Sequence, residues 1–156
     1  FFCGFGWAKP VPVDPRYFKK PKQGMAITAL AGPISNILLA VLFLGIGKVI
    51  YLYAPYSDGM NVLFSWCLYT VAPMSVGMGL FNLIPIPPLD GSHILGYFTS
   101  SKVDAFFYKN QRVISIVFMV ILVTGVLSGP IGFVEQHIYN LLLTLTNWIP
   151  NLLGTL

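Results

Sequence analysis

A single carboxylate, Asp90, follows a long apolar stretch. It lies near the end of the motif Asn82-Leu83-Ile84-Pro85-Ile86-Pro87-Pro88-Leu89-Asp90-Gly91. A carboxylate near hydrocarbon is costly, so it indicates a functional site with a partner. The prolines stop a helix, and the carbonyls they free are tolerated where protein or water meets them. With the amide of Asn82 and the flexible Gly91, these residues predict a polar pocket. On these grounds alone, a solvated Asp90 at a helix end explains the pattern equally well.

A second polar group lies inside the first apolar run, in Ala31-Gly32-Pro33-Ile34-Ser35-Asn36. Pro33 removes a backbone hydrogen bond and predicts a kink. Gly32 is small and is typical of close helix packing, whereas Asn36 is costly to leave unpaired and is a pocket residue. His93 follows Asp90 by three residues, a spacing that could bind a metal on a helix, although a solvated loop histidine is the more common explanation.

Four apolar stretches must position these side chains. They predict core helices over 24–53 and 60–88, the second ending in the Asp90 motif, and accessory helices over 113–134 and 138–156. The last stretch contains Pro150 and either spans the bilayer or lies in its interface. Residues 1–23 are rich in proline and predict a short extended segment at the cytoplasmic membrane surface. The predicted fold is therefore an all-α polytopic membrane protein, a single membrane-embedded domain over 1–156 with three to four transmembrane helices.

The composition points the same way. Of the 156 residues, 56% are hydrophobic and 9% are charged, and the mean hydropathy is +0.76. A soluble domain averages about 25% charged residues, so an ordinary soluble domain is excluded, as are a disordered chain and a disulfide scaffold. Most bases lie within 1–23 and 89–112, which the positive-inside rule places on the cytoplasmic side of the cell membrane. This orientation and anionic membrane lipid explain the net charge of +4 without a nucleic-acid partner.

Three motifs resemble those of the site-2 protease family of intramembrane zinc metalloproteases. The segment 82–91 is similar to the family signature NxxPxPxLDG, and 31–36 is similar to its AGPxxN motif. Residues 6–13, Gly-Trp-Ala-Lys-Pro-Val-Pro-Val, resemble the segment before the AGPxxN helix in small bacterial members. The resemblance implies one zinc ion with Asp90 as a ligand, and substrate-binding roles for Asn82 and Asn36. It also implies supporting roles for the other motif residues, which are Gly32, Pro33, Pro85, Pro87, Leu89 and Gly91.

The family's other zinc ligands are the two histidines of an HExxH motif, whose glutamate is the general base. The sequence contains no HExxH. We therefore expect the remaining ligands upstream of Phe1, and we expect this chain alone to be inactive, with no catalytic residue of its own. In the intact protein, the resemblance implies hydrolysis of peptide bonds in transmembrane protein substrates. Two alternatives stay open: a non-catalytic membrane module that binds single-span partners, and a transporter fragment.

Overall fold

The computed structural model describes residues 13–55 and 57–148. Within these ranges the chain is helical and contains no strand, which confirms the predicted all-α architecture. A short 3-10 helix, Pro15–Tyr17, precedes the helices α1 to α5, which are Pro21–Tyr53, Asp58–Asn82, Gly91–Phe98, Ser101–Val123 and Ser128–Leu145. Most of the predicted extended segment, residues 1–12, lies outside the described residues.

Proline positions explain where α1 begins and ends. Pro21 is the first helical residue, where its missing N–H is no loss and its fixed φ suits a helix. Pro33 lies inside the helix and is buried. The helix ends at Tyr53, shortly before Pro55, which cannot continue it. These bounds agree closely with the core helix predicted over 24–53.

The second helix, α2, begins with a side-chain cap and contains an irregular turn. The Ser57 hydroxyl accepts a hydrogen bond from the Met60 N–H at 3.3 Å, which satisfies one free donor of the first turn. Residues Cys67–Val71 form a π-helical turn in the middle of α2. The helix ends at Asn82, before Pro85, so the predicted helix over 60–88 is shorter at its C-terminal end.

The last two helices differ in their bounds from the predicted ones. Helix α4 begins at Ser101 rather than at 113, and α5 spans Ser128–Leu145 rather than beginning at 138. Gly125 lies between them with a φ of +72°, the left-handed conformation in which glycine commonly ends a helix. Residues 149–156 of the predicted fourth stretch lie outside the described residues.

The buried core lies between α1, α2 and α5. It consists of small and aliphatic side chains from these three helices: Ala40, Leu44, Cys67, Leu68, Ala72, Val76 and Leu142. At one end of this core, the buried Lys48 of α1 donates hydrogen bonds to the Leu143 carbonyl at 2.8 Å and to the Thr146 hydroxyl at 2.7 Å. A cation suits the C-terminal end of a helix, so Lys48 fixes the end of α5 against α1.

Among the described residues, three helices are long and apolar enough to cross a membrane: Pro21–Tyr53, Asp58–Asn82 and Val103–Val123. Large apolar side chains on their outer faces are exposed, as expected where lipid replaces water; examples are Leu38, Ile116 and Val123. Helix α4 is the least buried of the three. Length, composition and exposure together define a multi-pass membrane protein.

Candidate metal and substrate site

The segment between α2 and α3 carries the carboxylate predicted to bind metal. After Asn82 the chain leaves the helix through short turns, with backbone hydrogen bonds from Ile84 N–H to the Phe81 carbonyl and from Leu89 N–H to the Ile86 carbonyl. Helix α3 then begins at Gly91, so Asp90 is the residue immediately before it. The prolines explain this path, because a residue without an N–H cannot continue the helix.

Gly91 packs directly against the backbone of the same segment. A Cβ atom at this position would collide with the carbonyl oxygens of Leu83 and Ile84. These are backbone atoms, so no side-chain rotation could relieve the overlap. Gly91 thus lets α3 begin close beneath the end of α2, which determines where Asp90 is held.

The Asp90 carboxylate lies against Gly32 of α1. Its Oδ2 atom is 3.1 Å from the position that a Cβ on Gly32 would occupy, so the glycine leaves room for the carboxylate beside the helix. Asp90 is half-buried, and its side chain forms no hydrogen bond or ion pair with any described residue. Its acceptor positions are therefore free for a ligand within the described part of the molecule.

The second motif, around Asn36, packs against the final turns of α2. A Cβ on Gly79 would lie 3.2 Å from the Pro33 carbonyl oxygen and 3.4 Å from the Asn36 Cβ. Gly79 thus brings α2 close to the residues predicted to form a pocket. Asn36 is half-buried, and its amide has no hydrogen bond to a described residue.

Asn82, the last residue of α2, lines a separate cavity between α2 and α5, which is wide open at the molecular surface. This cavity of about 510 Å³ is also lined by Met74, Gly77, Met78, Phe81 and Glu135. The Asn82 amide likewise has no hydrogen bond within the described residues. Glu135 was not among the predicted site residues, because it lies between the helices predicted over 113–134 and 138–156 and belongs to no motif. Only the packing of α5 on α2 brings its carboxylate near Asn82.

The prolines of the motif face another cavity, of about 490 Å³, between α1, α3 and α4. The cavity is lined by Pro85, Pro87 and His93. Leu89 of the same motif is half-buried. At its edge, Lys22 Nζ lies 2.5 Å from the Asp104 carboxylate. Asp90 is not among the lining residues. The structure therefore does not bring His93 and Asp90 into one cavity.

A complete zinc site is not formed by the described residues. Across 13–55 and 57–148, no group of three or more His, Cys, Asp or Glu side chains could hold a metal ion together. Structural zinc sites have four ligands, and catalytic sites have three protein ligands and one open position. A free, half-buried carboxylate such as Asp90 fits one of these positions, and the described residues do not fill the others.

Comparison with known proteins finds similarity to a family of membrane metallopeptidases. Residues 45–128 match the model of peptidase family M50. The chain is 36% identical over 129 residues to YwhC of Bacillus subtilis, a protein named as a candidate zinc metalloprotease, and the match covers 78% of this chain and 56% of YwhC. It is 32% identical over 108 residues to the zinc metalloprotease MJ0392 of Methanocaldococcus jannaschii, covering 64% of this chain and 30% of that protein. No solved structure matches the chain.

The long apolar helices describe the class: a multi-pass membrane protein. The family match covers more than half of the chain, and the chain therefore belongs to peptidase family M50, the site-2 proteases. This confirms the resemblance found in the sequence. The chain spans about half the length of YwhC and 30% of the length of MJ0392.

Proposed function

We propose that the protein containing this chain is a zinc-dependent intramembrane endopeptidase that hydrolyses peptide bonds in transmembrane substrates. The observation that carries this proposal is the Asp90 carboxylate, which is half-buried beside Gly32 and has no partner among the described residues. A carboxylate in such surroundings needs a cation or a hydrogen-bond donor, and zinc accepts carboxylate oxygen. The family membership supports zinc as that cation.

Asp90 is one zinc ligand in this proposal, and the histidines of an HExxH motif from another part of the protein supply the others. Zinc, when bound, acts as a Lewis acid for peptide-bond hydrolysis. The chain's own contribution is geometric. Gly91 lets α3 begin close to the end of α2, and Gly32 leaves room for the Asp90 carboxylate against α1. Without the other ligands, we expect this chain neither to hold zinc tightly nor to cleave peptides.

Asn82 and Asn36 are the proposed substrate-binding residues. A transmembrane helix must unwind locally before its peptide bonds become accessible, and the freed N–H and C=O groups then need partners. A carboxamide supplies both donors and an acceptor, and both amides are free of hydrogen bonds to the described residues. Asn82 is the last residue of α2, and the segment that follows it carries Asp90.

The test is the Asp90→Asn variant of the full-length protein. Cleavage is measured on synthetic single-span polypeptides in detergent micelles, with a fluorophore and a quencher on either side of the span. We expect the cleavage rate to fall by more than about 100-fold. Mutation of residues that only hydrogen-bond to metal ligands already lowers metal affinity or activity by about 10–100-fold, and Asp90 is proposed as a ligand itself. Bound zinc should fall as well. The matched control is Asp58→Asn, an exposed carboxylate at the start of α2, which should change neither quantity.

Helical circular dichroism shows whether the Asp90→Asn variant is folded. Full cleavage by a folded Asp90→Asn variant would contradict the proposal. So would the failure of the wild-type protein to cleave any of the polypeptides while it binds them, a result that would favour a binding module.

A further inference from the structure

Glu135 of α5 is an acidic side chain that the proposed function does not yet use. It is half-buried, and its carboxyl group packs against Gly77 of α2. The carboxyl carbon and Oε2 each lie 3.3 Å from the position that a Cβ on Gly77 would occupy. Within the described residues, Glu135 forms no side-chain hydrogen bond and no ion pair.

The position of Gly77 places this carboxylate inside the membrane-spanning part of the molecule. Gly77 precedes the end of α2 at Asn82 by five residues, or about 7.5 Å along the helix axis. An ionisable side chain at such a depth is costly and marks a functional site unless it is paired. No described residue supplies that pair, so the carboxylate oxygens are open to a bound molecule.

The surroundings of Glu135 indicate what kind of molecule this is. The cavity of about 510 Å³ contains one carboxylate and one carboxamide, from Glu135 and Asn82, and its remaining wall is apolar, from Met74, Met78 and Phe81. An extended peptide presents N–H and C=O groups along its backbone and side chains on alternating sides. The carboxylate accepts N–H groups, and the carboxamide both donates and accepts. Methionine adapts to different apolar side chains, so the wall suits an apolar segment of variable sequence.

We propose that Glu135 is a substrate-binding residue, which accepts a backbone N–H of an unwound apolar peptide segment held between α2 and α5. This inference deepens the proposed function and rests on it. Asn82 lines the same cavity and binds the same segment. The site is therefore built from two helices, and α5 is part of the substrate-binding surface as well as a packing element.

The test replaces Glu135 in the full-length protein with Gln, which keeps its shape and removes its charge. Hydrogen bonds to charged groups are about twice as strong as those between neutral groups, so we expect KM for the single-span polypeptides to rise about tenfold. The kcat should stay within about twofold, since zinc and its ligands are untouched. Glu135→Asp keeps the charge and should recover most of the affinity. Asp58→Asn, which removes an exposed acid of α2, should leave KM unchanged.

A second variant acts on the same carboxylate without removing it. Gly77→Ala places a methyl group 3.3 Å from the Glu135 carboxyl and forces it to shift. We expect KM to rise here too. An unchanged KM in Glu135→Gln would overturn the inference, and so would a lowered thermal stability with unchanged KM, which would show a packing role only.

Binding measured without cleavage separates this inference from the proposed function. Fluorescence anisotropy reports binding of the labelled single-span polypeptide to the Asp90→Asn protein. Adding Glu135→Gln in that background should weaken binding about tenfold, whether or not the protein is a peptidase. Equal binding overturns the role of Glu135. Full cleavage by Asp90→Asn, in contrast, would overturn the proposed function and leave the role of Glu135 to this binding result.

Discussion

At Gly91 a single missing Cβ determines the position of the predicted zinc ligand. We expect Gly91→Ala to destabilise the protein by about 1–3 kcal/mol, because overpacking against atoms that cannot rotate away forces the backbone to shift. Asp90 is the adjacent residue, so cleavage should fall with stability. Thermal unfolding in detergent and the cleavage assay measure the two effects. Gly132→Ala is the control, since a Cβ there meets nothing within 4 Å and alanine favours the helix. Equal unfolding temperatures for both variants would contradict this role of Gly91.

The residue types of the site could be read from the sequence, but their contacts could not. Motif spacing singled out Asp90, Asn82 and Asn36, and their ligand and substrate-binding roles stay predictions. The approach of Asp90 to Gly32 depends on how α1 and the segment after α2 pack, which motif spacing does not encode. Glu135 was missed for the same reason. It is remote in sequence from Asn82, and no motif signals the cavity that they share.

At the scale of elements, the π-helical turn in α2 explains how α5 is attached. The Ala72 N–H bonds to the Cys67 carbonyl instead of the Leu68 carbonyl, and Pro73 has no N–H to offer. The Leu68 carbonyl is thus left without a backbone donor, and the Tyr139 hydroxyl of α5 donates to it at 2.6 Å. Buried carbonyls need such partners. One irregular turn therefore specifies one contact between helices.

This contact predicts the effect of Tyr139→Phe. The variant keeps the ring and removes the donor, which leaves the Leu68 carbonyl unsatisfied at a cost of about 1–3 kcal/mol. Thermal unfolding should shift down, and the amides of α5 should exchange hydrogen faster than those of α1. Tyr108→Phe is the control, because Tyr108 is 84% exposed and its loss should not change stability. If the two variants unfolded alike, the Tyr139 hydrogen bond would contribute nothing to the attachment of α5.

Helix existence could be predicted from the sequence better than helix ends. The long uncharged run of α1 predicted its bounds well, because charges and prolines flank it. The start of α5 was not predicted, because the helix predicted over 113–134 runs through Ser128, Gly129 and Pro130, where proline inside a helix would be expected to kink it. Proline is also tolerated in the first turn of a helix, where its missing N–H is no loss, and α5 uses it there. Local composition does not distinguish these two cases.

For the whole molecule, the contacts along each helix define its direction. Along α5, Glu135 meets Gly77, Tyr139 meets Leu68, and the end of the helix meets Lys48. Helix α5 therefore runs opposite to α2 and in the same direction as α1. Helix α4 begins beside Lys22, at the start of α1, and reaches Phe81 through Phe118. The start of α1, α3 and the start of α4 thus lie together at one end, and the end of α5 lies at the other.

This arrangement predicts which residues face the two sides of the membrane. Helix α1 has 33 residues, a length of about 50 Å that exceeds the roughly 30 Å hydrocarbon core, so we expect its ends to lie on opposite sides. Bases cluster before α1, and the positive-inside rule therefore predicts that its start faces the cytoplasm. We expect Lys19→Cys and Asp58→Cys, made in a protein without other cysteines, to react with a membrane-impermeant maleimide from opposite sides. Lys19→Cys should react in inside-out vesicles, and Asp58→Cys in intact cells.

Reaction of both cysteines from one side would mean that α1 does not cross the membrane. Reversed sides would keep the fold and overturn its orientation, and the Asp90 site, which lies nearer the start of α1, would then face away from the cytoplasm.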